Sequence, residues 1–219
     1  MPQRSLSASQ ILTVALAIVD ELGLEKLTIR RLAQKLEVTP MAIYSYFKTK
    51  SAIVDNLLNH VLGEYQVTEH KAKRWQDWVA KVFERMRQAL LAHPGVLPLL
   101  GTKSGMGKHA FEVTEEILAV LCKAGIPPAE AVRGFYSLIS YTVGLVSIEN
   151  GARSQECKSE QEDSEKWLKE ARARFETLPK TKFPHLVALA PHLAKFTTDI
   201  QFQYGVYLII QGLDKKASK

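Results

Sequence analysis

Cysteine is nearly absent from this chain: Cys122 and Cys157 are its two among 219 residues. That is too few, and too widely spaced, for a disulfide framework or a Cys-based zinc site, so free reduced thiols are expected. Long apolar runs are missing too. The longest, from Phe135 to Ile148, is interrupted by Ser137, Ser140, Tyr141, Thr142 and Ser147 and falls short of a membrane span. Residues 1–10 are polar and the apolar face after them is broken by Asp20 and Glu21, which does not read as a cleavable signal. The expectation is a soluble, cytoplasmic protein with no membrane partner. Catalytic signatures are absent as well. No Ser-His-Asp arrangement or nucleophile elbow stands out, and Gly101 to Gly107 (GTKSGMG) follows no strand and lacks the Lys-Ser/Thr ending of a phosphate loop. The six histidines include no pair at helical spacing with a carboxylate in a ligand pattern, so no metal, no cofactor and no enzymatic activity are expected.

What is present is helical periodicity. With 46% hydrophobic and 24% charged residues, the chain can build one large or two modest cores. Its net charge of +6 suits an anionic partner without distinguishing DNA from RNA or membrane. Ser7 and Gln10 form a capping box before Ile11, Ala15, Ile18 and Leu22, which share one face, and Gly23 supplies a left-handed stop. Thr28 is a good N-cap for a helix whose inner face is Ile29, Leu32, Ala33 and Leu36, and whose outer face carries Arg30, Arg31, Gln34 and Lys35. Thr39-Pro40, an N-cap with proline at the first helical position, opens another. Ile43 and Phe47 anchor this short helix and leave Met41, Tyr44, Ser45 and Tyr46 displayed; Thr49 caps a longer helix through Tyr65. From Lys26 to Lys50 six Lys or Arg face one acid, Glu37, a concentration of positive charge suited to phosphates. Two short helices around a tight turn with a cationic outer face are the layout of a helix-turn-helix DNA reader. Periodicity alone leaves an ordinary amphipathic helix pair equally open.

The stretch TIRRLAQKLEVTPMAIYSYFKTK, Thr28 to Lys50, resembles the DNA-binding signature of the tetracycline-repressor (TetR) family of transcriptional regulators: a Thr-x-Arg start, a Leu-Ala pair, Tyr-x-x-Phe and a closing Lys. The resemblance implies that Thr28 and Arg30 contact backbone or base, that Thr39, Pro40, Met41, Tyr44, Ser45 and Tyr46 lie in the major groove, and that Lys50 meets a phosphate. Glu37 departs from the pattern, standing where the family usually has glycine, so the turn is expected to be strained or differently wound.

From Arg74 onward the chain reads as a second all-helical domain, giving an all-α fold divided into a helix-turn-helix DNA-binding domain over 1–66 and a ligand-binding and dimerisation domain over 67–219. Trp75, Val79, Val82, Phe83, Met86 and Leu90 mark a helix ending at His93-Pro94-Gly95. Others run from about Lys108 to Gly125, from Pro127-Pro128 to Asn150-Gly151, around Trp167 to Phe175, and from Thr198 to Leu213; Ala152 to Asp163 reads as a mobile polar loop. The helices over 128–150 and 198–213 are apolar on nearly every side, which suggests burial against a second copy, although burial inside one chain is the alternative. Gly144, Gly205 and Gly212 would allow close helix approach.

The segments HPGVLPLLGT, SYTVGLVSIENG, FPHLVALAP and FQYGVYLIIQGL look like the regulatory domain of the tetracycline-repressor subclass. That implies a cavity for a small-molecule effector, with Gln66, Val82, Met86, Leu99, Thr102, Ile117 and Glu149 at its ligand positions. Val82, Met86, Leu99 and Ile117 favour a more apolar ligand than a drug–Mg complex, because a buried polar group left unpaired costs about 1–3 kcal/mol. The implied protein is a homodimeric repressor that binds palindromic double-stranded operator DNA and is released by its effector. The rival is a ligand-sequestering or interaction protein with a vestigial helix-turn-helix.

Overall fold

In the computed structural model, which describes residues 6–63, 74–100, 102, 107–156, 164–194 and 198–217, the Ser7–Gln10 box closes as the sequence predicts. Ser7 Oγ accepts from the Gln10 amide at 3.2 Å while the Ser7 amide donates to Gln10 Oε1 at 2.9 Å, starting α1 (Ala8–Leu22). Gly23 ends α1 at φ +86°, but with ψ 160°, so the stop is an extended glycine conformation and not the left-handed helical one expected. Leu22, assigned to the inner face, is exposed. Thr28 Oγ1 accepts from the Arg31 amide at 3.2 Å to cap α2 (Ile29–Leu36). Thr39 does the same for α3 (Pro40–Tyr44), accepting from Ala42 at 3.3 Å, and Thr49 starts α4 (Lys50–Gly63) by accepting from Ala52 at 3.0 Å.

Glu37 joins α2 to α3 at φ 56°, ψ 38°, the one non-glycine residue with positive φ among the described residues. A side chain there crowds its own carbonyl, a cost that glycine avoids while giving back part of the gain as unfolded-state entropy. Glu37→Gly should therefore stabilise the protein by about 0.5 kcal/mol. Urea denaturation checks this, and a destabilised variant would show that the Glu37 side chain contributes something the backbone argument misses.

The second half contains α5 (Trp75–Ala92), a 3₁₀ turn over Pro94–Leu99, α6 (Lys108–Lys123), α7 (Pro128–Glu156), α8 (Ser164–Glu176), α9 (Pro184–Ala194) and α10 (Thr198–Ala217). No strand occurs among the described residues, so the fold is all-α as expected. Two boundaries differ from the sequence reading. α7 continues past Gly151 to Glu156, taking in the start of the segment read as a loop, and α10 runs four residues beyond Leu213. The segment around His185 and His192 is a helix, α9, despite Pro191 within it. Proline there removes the amide that would donate to the Val187 carbonyl, and only three residues of the helix follow it. Pro128–Gly151 of α7 is long and apolar enough by length and composition to cross a bilayer, more than the interrupted run suggested. Here it packs against α5, α6 and α10 and buries the charged Glu149.

Two apolar cores form. One joins α1–α4 through Ile11, Ile18, Leu32, Ile43, Ile53 and Leu57, and also takes in Leu90, Val96, Leu99 and Val146 from the second half. The other gathers Trp78, Val82, Phe83, Ile117, Leu121, Phe135, Leu138 and Phe202 from α5, α6, α7 and α10. Met86 packs against both. α8 and α9 pack mainly on each other and leave Leu186, Leu189 and Leu193 exposed.

Candidate functional site

The α2–α3 unit presents one continuous polar and aromatic surface. Ile43 and Phe47 are buried, as their one-turn spacing requires, and this fixes which side of α3 faces outward. Thr28, Arg30, Thr39, Pro40, Met41, Tyr44, Ser45, Tyr46 and Lys50 are all exposed, and Met41, at 74% of its surface, is the most exposed large apolar side chain of the described residues. Met41 and Tyr44, left exposed on a capped helix, gain little apolar burial within a single chain. Their placement does suit contact with base edges and sugars.

Several of these side chains already have internal duties. Thr28 and Thr39 each spend one lone pair on a helix cap, so the hydroxyl hydrogen and one further lone pair remain to offer a partner. Ser45 donates to Ala42 O at 2.6 Å, and the Tyr46 hydroxyl donates to Leu6 O, tying the start of the chain to the reader. Arg31 Nη1 donates to Lys26 O at 2.6 Å. Lys35 is held 2.8 Å from Glu21, and this hydrogen bond, together with the Lys35 charge, draws the Glu21 carboxyl below the usual carboxylate range. The cationic face is therefore narrower than the sequence suggested, since Arg31 and Lys35 are partly engaged.

Two polar joints fasten the reader to the second half. Asp20 of α1 accepts from the Gly95 amide at 3.0 Å and pairs with His93 Nδ1 at 2.8 Å. A Cβ on Gly95 would collide with the Val19 backbone 2.8 Å away, so glycine is required for this approach. The second joint lies between α4 and α6. Asn59 Oδ1 accepts from the His109 amide at 2.8 Å and so caps α6, whose own N-cap, Gly107, supplies no side chain. Nothing in the sequence singles out Asn59 or Asp20, because both partners are far along the chain.

The implied ligand residues do not all converge. Val82 and Ile117 are buried in the second core, while Leu99 is buried in the reader's core, with Met86 half-buried between them. Thr102 is exposed and its hydroxyl donates to Leu99 O at 2.7 Å; Gln66 lies outside the described residues. Glu149 is buried and accepts from Arg87 Nη2 at 2.7 Å and Nε at 3.2 Å. Arg87 also reaches Asp199 at 2.7 Å and lies over the Phe202 ring, 5.2 Å from its centroid. Burial works against the Arg87 charge, but Glu149 and Asp199 outweigh it and hold the guanidinium above its ordinary pKa. Next to this cluster, burial pushes the Tyr141 hydroxyl up, although a hydrogen bond with the Gln201 side chain acts the other way; the hydroxyl itself donates to Gln201 O. A groove of about 510 Å³ runs between α5 and α10 past Lys81, Glu84, Gln203 and Tyr207, and none of the implied ligand residues lines it.

A capped helix-turn-helix displayed on an all-helical body with its own core defines a class: a DNA-binding regulator with a separate sensing part. The profile described as "Bacterial regulatory proteins, tetR family" matches residues 11–57, and that described as "Tetracyclin repressor-like, C-terminal domain" matches residues 69–217. The chain belongs to the tetracycline-repressor family of transcriptional regulators. It is similar to the tetracycline repressor protein class A from transposon 1721 of Escherichia coli, at 28% identity over 96% of this chain and 92% of that protein. It also resembles an HTH-type transcriptional regulator of Saccharopolyspora erythraea, at 28% identity over 69% of this chain, spanning 64% of that protein's length. Among solved structures, the Streptomyces coelicolor TetR family protein ActR in complex with actinorhodin superposes with a TM-score of 0.79 at 25% identity, covering 98% of this chain and all of that one.

Proposed function

We propose that this regulator acts as a homodimer that occupies palindromic operator DNA as a repressor and is released when a small, largely apolar effector enters the second half. The reader spans residues 1–66, and residues 67–219 sense and dimerise. The observation that carries the DNA-binding reading is the exposed set Arg30, Met41, Tyr44, Tyr46 and Lys50 around a firmly capped α3. In this reading Arg30 and Lys50 hold phosphates while Met41, Tyr44 and Ser45 meet the major groove.

Support for the dimer comes from what one chain leaves uncovered. On α7, Val132, Tyr136, Ser140, Gly144 and Ile148 recur every four residues, and all are exposed. On α10, Ile200, Tyr204, Tyr207 and Leu208 make a second exposed apolar stripe, and α7 and α10 pack side by side. Gly205 is used inside the chain, since an added Cβ would run into the Tyr141 ring, whereas Gly144 and Gly212 face open space that a second copy would fill. The effector reading is supported by the apolar Val82, Met86 and Ile117 set and by a ligand-bound solved relative. A ligand there has a mechanical route to the reader, because α6 contacts both α7 and α4 and its first turn is capped by Asn59. The ligand shifts the equilibrium only by its differential affinity for the two reader spacings, typically 1–3 kcal/mol.

Arg30→Ala and Tyr44→Ala each should weaken binding to a duplex recovered by selection from random DNA by about tenfold or more, with dimer mass unchanged. Gel shift and sedimentation read the two properties separately. Unchanged affinity in both variants would favour a vestigial reader on a ligand-sequestering protein.

A further inference from the structure

Trp78 presents an anomaly inside the second core. Its side chain is 5% exposed, yet among the described residues its Nε1 is the buried side-chain polar atom with no hydrogen-bond partner. An indole N–H in a folded interior ordinarily finds an acceptor, and leaving one without is costly. The core that holds Trp78 also contains Val79, Val82, Phe83, Ile117 and Leu121, none of which carries a side-chain acceptor. Helical geometry places this group. Trp78, Val82 and Met86 are each four residues apart and share one stripe of α5, while Arg87 lies about half a turn away around the axis. Arg87 faces Glu149 of α7 and Asp199 and Phe202 of α10. The Trp78 stripe therefore belongs to the opposite edge of the buried arc. α5 packs extensively on α7 and α10 and only lightly on α6, so the seam beside that stripe is the loosest contact α5 makes within its core. Met86, half-buried and flexible, sits at one end of it.

We infer that Trp78 is the polar anchor of the effector site: its indole N–H donates to an acceptor oxygen on an otherwise apolar, ring-sized molecule seated between α5 and α6 against Val82, Met86 and Ile117. The inference rests on the effector reading above and gives it a chemistry. Indole nitrogen is donor-only, so the ligand class is a carbonyl-bearing aromatic or polycyclic compound, and a molecule offering only a donor at that point is rejected.

The test uses a matched pair, 9-fluorenone and fluorene, which share a ring frame and differ by one carbonyl. Wild-type protein, titrated by tryptophan fluorescence, should bind 9-fluorenone about tenfold more tightly than fluorene, the ratio expected of one hydrogen bond. In Trp78→Phe, which keeps an aromatic ring and removes the donor, that preference should vanish while fluorene affinity stays within about twofold, since no hydrogen bond is involved. A second reading needs no variant to bind: with indole nitrogens labelled, one N–H resonance of the wild-type protein should move downfield with 9-fluorenone and not with fluorene, and it should be the resonance missing from Trp78→Phe. Persistence of the carbonyl preference in Trp78→Phe, or movement of a different indole resonance, overturns the anchor and leaves the effector reading standing. Binding of neither compound to the wild-type protein overturns both.

Discussion

Glu149→Ala should cost about 3–5 kcal/mol of stability, the largest loss expected from any single substitution outside the apolar cores. The reason is the partner left behind. Arg87 is 6% exposed and directs Nε and Nη2 at the same Glu149 oxygen, so removing the carboxylate takes from a buried guanidinium its buried counter-charge. Asp199 cannot compensate, since its side chain is largely exposed and its pull on Arg87 is screened. For a chain of this size the loss corresponds to a fall in Tm of roughly 10 °C or more, measured at fixed protein concentration because the proposed dimerisation would shift the midpoint. The double replacement Arg87→Met with Glu149→Leu removes both charges and should recover most of the loss, because apolar packing of similar volume substitutes well for a buried pair. Asp199→Ala alone should stay within about 1 kcal/mol of the wild type. If Glu149→Ala shifts the midpoint by no more than Asp199→Ala does, the pair is not holding α5 to α7 and Glu149 becomes available for the ligand contact its resemblance implies.

The same residue shows where sequence reasoning reached and where it stopped. Helix starts were legible wherever the cap lies within three residues of its target: Ser7, Thr28, Thr39 and Thr49 all cap as their spacing says. The exposed face of α3 was legible for a similar reason, since burying Ile43 and Phe47 determines what their neighbours must do. Interactions between distant parts of the chain were not. Glu149 could be noticed by its resemblance, but nothing near it announces that Arg87, 62 residues earlier, consumes its charge. The resemblance sets Leu99 at a ligand position, and its packing with α1–α4 could not be read beside it, because the turn over Pro94–Leu99 docks on α1 through Asp20 and Gly95. Glycine at position 23 marks a stop and allows its positive φ, while its ψ follows from the turn that comes next. α9 was hidden by its two prolines, which punctuate sequence more strongly than they disrupt a short helix.

Ile200→Glu combined with Tyr204→Glu should convert the protein from a species of twice 24.6 kDa to one of 24.6 kDa in sedimentation, and operator affinity should fall with it. Both side chains stand more than half exposed on α10, at 69% and 57%, so charging them asks nothing of the interior of one chain. Helical content and the position of the reader should be unchanged. Between two copies the situation reverses. Four glutamates would meet across a symmetric contact in which each stripe faces its own image, and each would lose water without gaining a partner. The operator effect follows from linkage between half-sites. In a dimer the second reader is held at high effective concentration once the first is bound, a gain of about a hundredfold to ten-thousandfold that separate monomers forgo. Arg30→Ala is the complementary case, losing contacts at each reader while the mass stays dimeric. The two variants together separate contact from avidity. A dimeric mass surviving in the charged variant would place the subunit contact elsewhere, with the exposed leucines of α9 as the next surface to charge; a monomeric mass accompanied by unchanged operator affinity would show that one reader suffices and remove the palindrome from the mechanism.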